Sequence, residues 1–162
     1  MKRFDVQGPV GKLAQRTAAH PRLAPITARV MPRIDRTFNF LTGGRFLPSQ
    51  MLVPTLVLTT TGAKTGQART SPLATLPDGE AFYVVGSNFG GGKHPGWSAN
   101  LLKTPQAKVS FHGRTRQMTA RLLSGQEKAE VWPRLKLIWP AYDDYVARSG
   151  RDLRVFRLEP QE

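Results

Sequence analysis

"MLVPTLVLTTTGAKTGQARTSPLATLPDGEAFYVVGSN", Met51 to Asn88, decides the fold. Three apolar, β-branched runs are separated by turn chemistry: Gly62 to Gln67 after the first, and Pro77-Asp78-Gly79 after the second. Each run is too short for a stable helix and is bounded by glycine, proline or polar residues, so the stretch predicts three antiparallel strands joined by hairpins.

Working outward, "HPGWSANLLKTP" (94–105) reads as a short helix opened near Pro95 and stopped by Pro105. "AKVSFH" and "TRQMTARLL" flank His112-Gly113 as a further hairpin. Ser124 and Glu127 form a capping box before Ala129, Trp132, Leu135 and Ile138, which share one helical face. Pro133 costs least in a first turn, which predicts a helix start later than Ser124. "AYDDYVARSG" gives a second helical piece after Pro140, and "LRVFRLE" a last strand. The expected architecture is α+β, mainly β: a small barrel of about six antiparallel strands with peripheral helices.

Upstream, Leu23, Ile26, Val30, Ile34, Phe38 and Leu41 recur at helical spacing, with Arg22, Arg29, Arg33 and Arg36 along one flank. Pro25 and Pro32 predict a kink or a break, and Gly43-Gly44 the end. The chain is therefore divided into a basic helical extension, residues 1–45, and a barrel domain, residues 46–162. The extension either covers the core or rests on a membrane surface.

The 162 residues contain no cysteine, which excludes disulfides, thiolate nucleophiles and iron–sulfur clusters. No apolar run approaches the roughly 20 residues that span a bilayer, and no signal-peptide pattern is present, so a cytoplasmic protein is expected. The formal net charge is +13, with nine of the 24 Lys/Arg but two of the 11 Asp/Glu in the first 50 residues. Such a balance suits an anionic partner. Nucleic acid is not expected, because the basic residues are not interleaved with aromatics in a recognisable pattern.

Several chemistries fail on spacing. His20, His94 and His112 are scattered, so no metal site is expected. No G-x-S-x-G elbow or G-x-G-x-x-G fingerprint occurs. A P-loop ending at Gly92-Lys93 would need glycine at Ser87 and Ser/Thr at His94. By elimination, a bound organic cofactor would carry the hard chemistry of any enzyme built on this chain. The turn "TTTGAKTGQART" (59–70) offers hydroxyls, amides, the Lys64 point charge and the Arg69 fork to an anion. "VVGSNFGGGKHPGW" (84–97) is a second glycine-bearing loop before a helix start, and the two together describe one groove.

"LTTTGAKTGQARTSPL", "VVGSNFGGGKHPGWSANL", "WPAYDDY" and "VFRLEP", in that order, resemble the deazaflavin-dependent nitroreductase family, actinobacterial reductases that use the deazaflavin coenzyme F-420. The resemblance spans about residues 40 to 160 and implies a split β-barrel, like those that bind FMN. It implies that Ala63, Lys64 and Thr65 with Arg69, Thr70, Ser71, Pro72, Leu73 and Ala74 line the coenzyme groove. Lys64 and Arg69 would meet the phosphate and polyglutamate tail. It implies that Val85, Gly86, Ser87 and Asn88 with Gly96, Trp97, Ser98, Ala99 and Asn100 flank the ring and phosphate. Trp139, Tyr142 and Tyr145 would wall the substrate pocket, with Tyr142 bonding coenzyme or substrate, and either water or Tyr142 would supply the proton that follows the hydride.

The implied activity is hydride transfer from reduced F-420 to enones, unsaturated lactones, quinones and nitroaromatics, with FMN as the alternative cofactor. A monomer or homodimer is expected. The chain departs from the family at Ala63 and Asn88, where further basic residues are usual; Lys93 and Arg45 are available to compensate. It also has Trp139 and Ala74 where the family has tyrosines, which implies a different substrate range.

Overall fold

A computed structural model describes residues 53–161, together with Val30, Arg33, Ile34 and Thr37. Those four are helical and exposed. The rest of the expected N-terminal helix, the boundary near residue 45 and Arg45 lie outside the described residues.

Six strands form the body: β1 Thr55–Thr61, β2 Ala68–Asp78, β3 Ala81–Val85, β4 Gln106–Phe111, β5 Arg114–Leu122 and β6 Val155–Pro160. They close into a barrel in the order β1-β2-β3-β6-β5-β4, every neighbouring pair antiparallel. The expected hairpins are present, and their turns hold Gly66, Gly79 and Gly113 at φ of 69°, 62° and 76°. Glycine enters that left-handed region without the penalty a Cβ imposes.

Helices α1 (Gly96–Lys103), α2 (Gly125–Ile138) and α3 (Tyr142–Ser149) decorate the barrel. The later start expected for α2 is corrected: the helix begins at Gly125 with Pro133 in its interior. The capping box decides this. Ser124 Oγ accepts from the Glu127 amide at 3.3 Å, and Glu127 Oε2 accepts from the Ser124 amide at 2.9 Å. Pro133 costs on the order of 3 kcal/mol through its lost donor and ring crowding. Burial of Val131 and Leu135 on either side offsets that cost.

Period-two alternation sorts the apolar side chains into two layers. Leu56, Leu58, Phe82, Val84, Val109, Met118, Phe156 and Leu158 fill the barrel, joined by Trp97 and Leu101 of α1. On the outer face of β3 and β6, Tyr83, Val85 and Val155 pack with Val131, Leu135, Trp139, Tyr142 and Tyr145 from α2 and α3. All five residues of β3 are buried because both faces of that strand are covered. Along β2, by contrast, Arg69 and Thr70 are exposed and Ser71 to Ala74 only half-buried. That open strand borders the site.

Candidate active site

The β1–β2 turn is a compact structure held from two sides. Its own backbone closes it: the Gly62 amide donates to the Gln67 carbonyl at 2.8 Å and the Gly66 amide to the Gly62 carbonyl at 2.7 Å. A Cβ on Gly62 would lie 2.9 Å from Thr65 Oγ1 and 3.0 Å from the Gln67 carbonyl, so only glycine fits this approach without a shift. From α1, Asn100 Oδ1 accepts from the Ala63 amide at 2.8 Å, and Lys103 Nζ donates to the Ala63 carbonyl at 2.6 Å. Asn100 Nδ2 donates in turn to Thr60 Oγ1 at 2.9 Å, and Thr60 donates to the Arg69 carbonyl at 3.4 Å.

This network ties the β1–β2 turn to the second half of α1, the helix that follows the second glycine-bearing segment. Lys64, Thr65, Arg69 and Thr70 are exposed at the turn, while Gly96 and Ala99 are exposed on α1. At the start of α1 the Ser98 amide donates to the Pro95 carbonyl at 3.1 Å, while the Gly96 and Trp97 amides lack an intrahelical acceptor and, like the exposed Lys64 and Arg69 of the turn, are suited to an anion. Asn100 faces inward and has both polar ends engaged by protein, so it holds the turn. Ser98 is likewise engaged: its Oγ donates to the Pro95 carbonyl at 2.8 Å and accepts from Arg154 Nη1 at 3.3 Å. Trp97 is a core residue, packed edge-to-face on Phe156 with ring centroids 5.8 Å apart.

The second loop leaves β3 at Val85, which is buried, and is anchored at Gly86, whose amide donates to the Arg154 carbonyl at 2.8 Å. Asn88 Nδ2 donates to the Lys93 carbonyl at 3.0 Å, which turns the exposed Lys93 back along the loop. Three arginines hold this loop and were not singled out from sequence. Arg148 and Arg151 donate to its carbonyls and Arg154 reaches Ser98. The available signal was their three-residue spacing in "RSGRDLR", 148–154.

Trp139, Tyr142 and Tyr145, which the resemblance groups in one wall, are brought together from two successive helices. Trp139 closes α2, the two tyrosines sit on α3, and Trp139 Nε1 donates to Tyr145 Oη at 3.1 Å across the break. Ala74 of β2 and Phe89 of the second loop pack against the same cluster, so groove and aromatic wall are contiguous. Tyr142 is 4% exposed, and its hydroxyl has no hydrogen-bond partner among the described residues. Burial, then the neighbouring Tyr145, pushes its pKa above the usual phenol value, so the hydroxyl stays protonated. A buried hydroxyl without a partner among the described residues is suited to a bound group carrying an acceptor.

A separate cleft of about 230 Å³ is lined by Tyr83, Arg121, Leu123, Glu127, Glu130, Val131, Arg134 and Arg157. It contains none of the candidate site residues read from sequence, and its charges largely pair among themselves and with Asp78 and Glu159. Among the described residues no cluster could hold a metal ion, and no helix is long and apolar enough to cross a membrane.

A family model described as F420H(2)-dependent quinone reductase matches residues 27–160. An F420H(2)-dependent quinone reductase of Mycobacterium tuberculosis is 31% identical over 113 residues, covering 65% of this chain and 72% of that protein. A solved structure described as an F420-H2 dependent reductase has a TM-score of 0.61 at 33% identity, over 65% of this chain and 94% of that one. Another, described as a domain-swapped dimer, has a TM-score of 0.64 at 30% identity, over 76% of this chain and 94% of that one.

Proposed function

The chain belongs to the F420H(2)-dependent quinone reductase family, oxidoreductases whose coenzyme is F-420, and we propose that it passes hydride to quinones, enones, unsaturated lactones and nitroaromatics. The observation that carries this reading is the continuity of the groove with the aromatic wall, bridged by Ala74 and Phe89. The residues fit the coenzyme. Lys64 and Arg69 supply cations for an anionic tail, the amides at the start of α1 receive phosphate oxygens, and Ser71 to Ala74 with Val85 to Asn88 border a flat ring system.

When bound, reduced F-420 supplies the hydride from its central ring. The protein supplies position and dryness. Tyr142 Oη donates a hydrogen bond to an acceptor oxygen and keeps its own proton, because burial disfavours the phenolate; water provides the proton that completes the reduction. Trp139 and Tyr145 define the width of the acceptor site, and indole in place of phenol at residue 139 sets the range of rings admitted.

The test is titration of the purified protein with F-420, followed by coenzyme fluorescence, and then oxidation of the reduced coenzyme by menadione or cyclohexenone. Saturable binding and acceptor-dependent oxidation are expected. Absence of binding, or displacement of F-420 by FMN at comparable concentration, overturns the reading. A homodimer is the proposed assembly, checked by sedimentation. The exposed Val30 and Ile34 beside Arg33 support a peripheral membrane contact for the N-terminal helix. Loss of vesicle co-sedimentation on deleting residues 1–40 is the expected result.

A further inference from the structure

Asn88, Phe89 and Gly90 have φ of 47°, 52° and 72°, a full turn of left-handed backbone. Each non-glycine residue there costs roughly 1–2 kcal/mol, and such residues ordinarily occur singly. Phe89 has no polar side chain with which to offset the strain. The loop's internal bonds are few: the Gly90 amide donates to the Ser87 carbonyl at 3.0 Å and the Gly91 amide to the Asn88 carbonyl at 2.9 Å.

Asn88 Nδ2 adds its bond to the Lys93 carbonyl, and the remaining support comes from guanidinium groups 57 to 64 residues away in sequence. Arg148 Nη2 donates to the Phe89 carbonyl at 2.7 Å. Arg151 spreads its fork over three acceptors: Nη2 to the Ser87 carbonyl, Nε to the Gly91 carbonyl and Nη1 to His94 Nδ1, each at 2.9 Å. Lysine, whose three donors sit on one nitrogen, cannot span acceptors that three separate guanidinium nitrogens reach. Gly90 makes room for the contact, since a Cβ there would lie 2.5 Å from Arg148 Nη2. Arg148 also stacks over the Tyr145 ring at 5.2 Å, so the same residue touches loop and aromatic wall. His94 must be neutral to accept from Arg151. Its burial, then the charges of Arg154 and Arg151, keep its pKa below the ordinary histidine value against the pull of Asp152.

We propose that Arg148 and Arg151 are positioning residues for the coenzyme: a guanidinium latch that keeps the Ser87–His94 loop left-handed and ties it to the helix bearing Tyr142 and Tyr145. This rests on the F-420 reading of the groove. The latch makes the coenzyme loop and the acceptor wall one rigid unit, so the distance between them is set before either ligand arrives.

Two measurements on the full chain test it. Hydrogen exchange in the ligand-free protein should show faster exchange at residues 87–94 in Arg151→Met, with the barrel strands unchanged. F-420 fluorescence titration should show a Kd raised about tenfold or more, with Arg151→Lys recovering only part. Arg148→Met removes the companion contact to the Phe89 carbonyl and should reproduce both effects if Arg151→Met does not fold. Exchange that is unchanged in the loop, or accelerated with Kd unaltered, overturns the latch. If the wild-type protein binds no F-420, the functional reading fails while the exchange data still decide whether the arginines hold the loop.

Discussion

Asn100→Ala is the substitution whose outcome follows most directly from the geometry. Asn100 is 9% exposed and joins α1 to β1 and to the β1–β2 turn through the Ala63 amide at 2.8 Å and Thr60 Oγ1 at 2.9 Å. Alanine removes both bonds and leaves a half-buried amide and a buried hydroxyl without that partner. Each such group costs about 1–3 kcal/mol, but Thr60 keeps its bond to the Arg69 carbonyl and Lys103 keeps its bond to the Ala63 carbonyl. The expected total is therefore about 2–4 kcal/mol, near the lower end of the sum. For a domain of this size that is a fall in Tm of roughly 4–16 °C, read by circular dichroism. The second readout is F-420 affinity, which should fall because the turn that bears Lys64 keeps only the Lys103 bond to α1. Asn100→Asp retains an acceptor for the Ala63 amide and should recover part of both losses. A Tm within about 2 °C of wild type, with unchanged coenzyme affinity, would refute the clamp.

Lys64→Ala with Arg69→Ala should weaken F-420 binding by about tenfold or more, an effect that shrinks with added salt, while Tm stays nearly constant because both side chains are exposed. Tyr142→Phe deletes a hydroxyl with no described partner, so stability should be preserved or slightly raised while kcat/KM falls about three- to tenfold; equal loss of both would assign Tyr142 to packing. Glu127 is held down to about 2 by the Ser124 amide first and by Arg121. A carboxyl with a depressed folded value contributes stability above its unfolded pKa and loses it as pH falls through the folded one. Thermal melts should therefore show a steeper fall in Tm between about pH 4.5 and 2 for wild type than for Glu127→Gln.

The barrel was legible because its signals are local. Gly66, Gly79 and Gly113 mark turns that no distant contact needs to explain, and Phe82/Val84 against Tyr83/Val85 is an alternation written in one strand. Pro133 misled because its cost is local too, whereas the burial of Val131 and Leu135 that offsets it is tertiary. Within the site, Lys64 and Arg69 could be read from charge beside glycine. Asn100 could be singled out but not given its task, since its partners lie 37 and 40 residues away. The arginines at 148, 151 and 154 were silent for the same reason, as nothing in their neighbourhood announces carbonyls at 87, 89 and 91.

Strands β3 and β6 separate two apolar layers, and Tyr83, Val85 and Val155 face a different set of neighbours from Phe82, Val84, Phe156 and Leu158. Descent with modification can therefore act on one side of the sheet at a time. On the proposed reading, substitutions at Trp139, Tyr142 or Tyr145 act on the acceptor wall through the outer layer and touch none of the side chains that fill the cylinder. The same sheet partitions a screen for new acceptors: libraries on the outer layer sample the proposed acceptor wall together with its buried packing, and libraries on the inner layer sample stability alone.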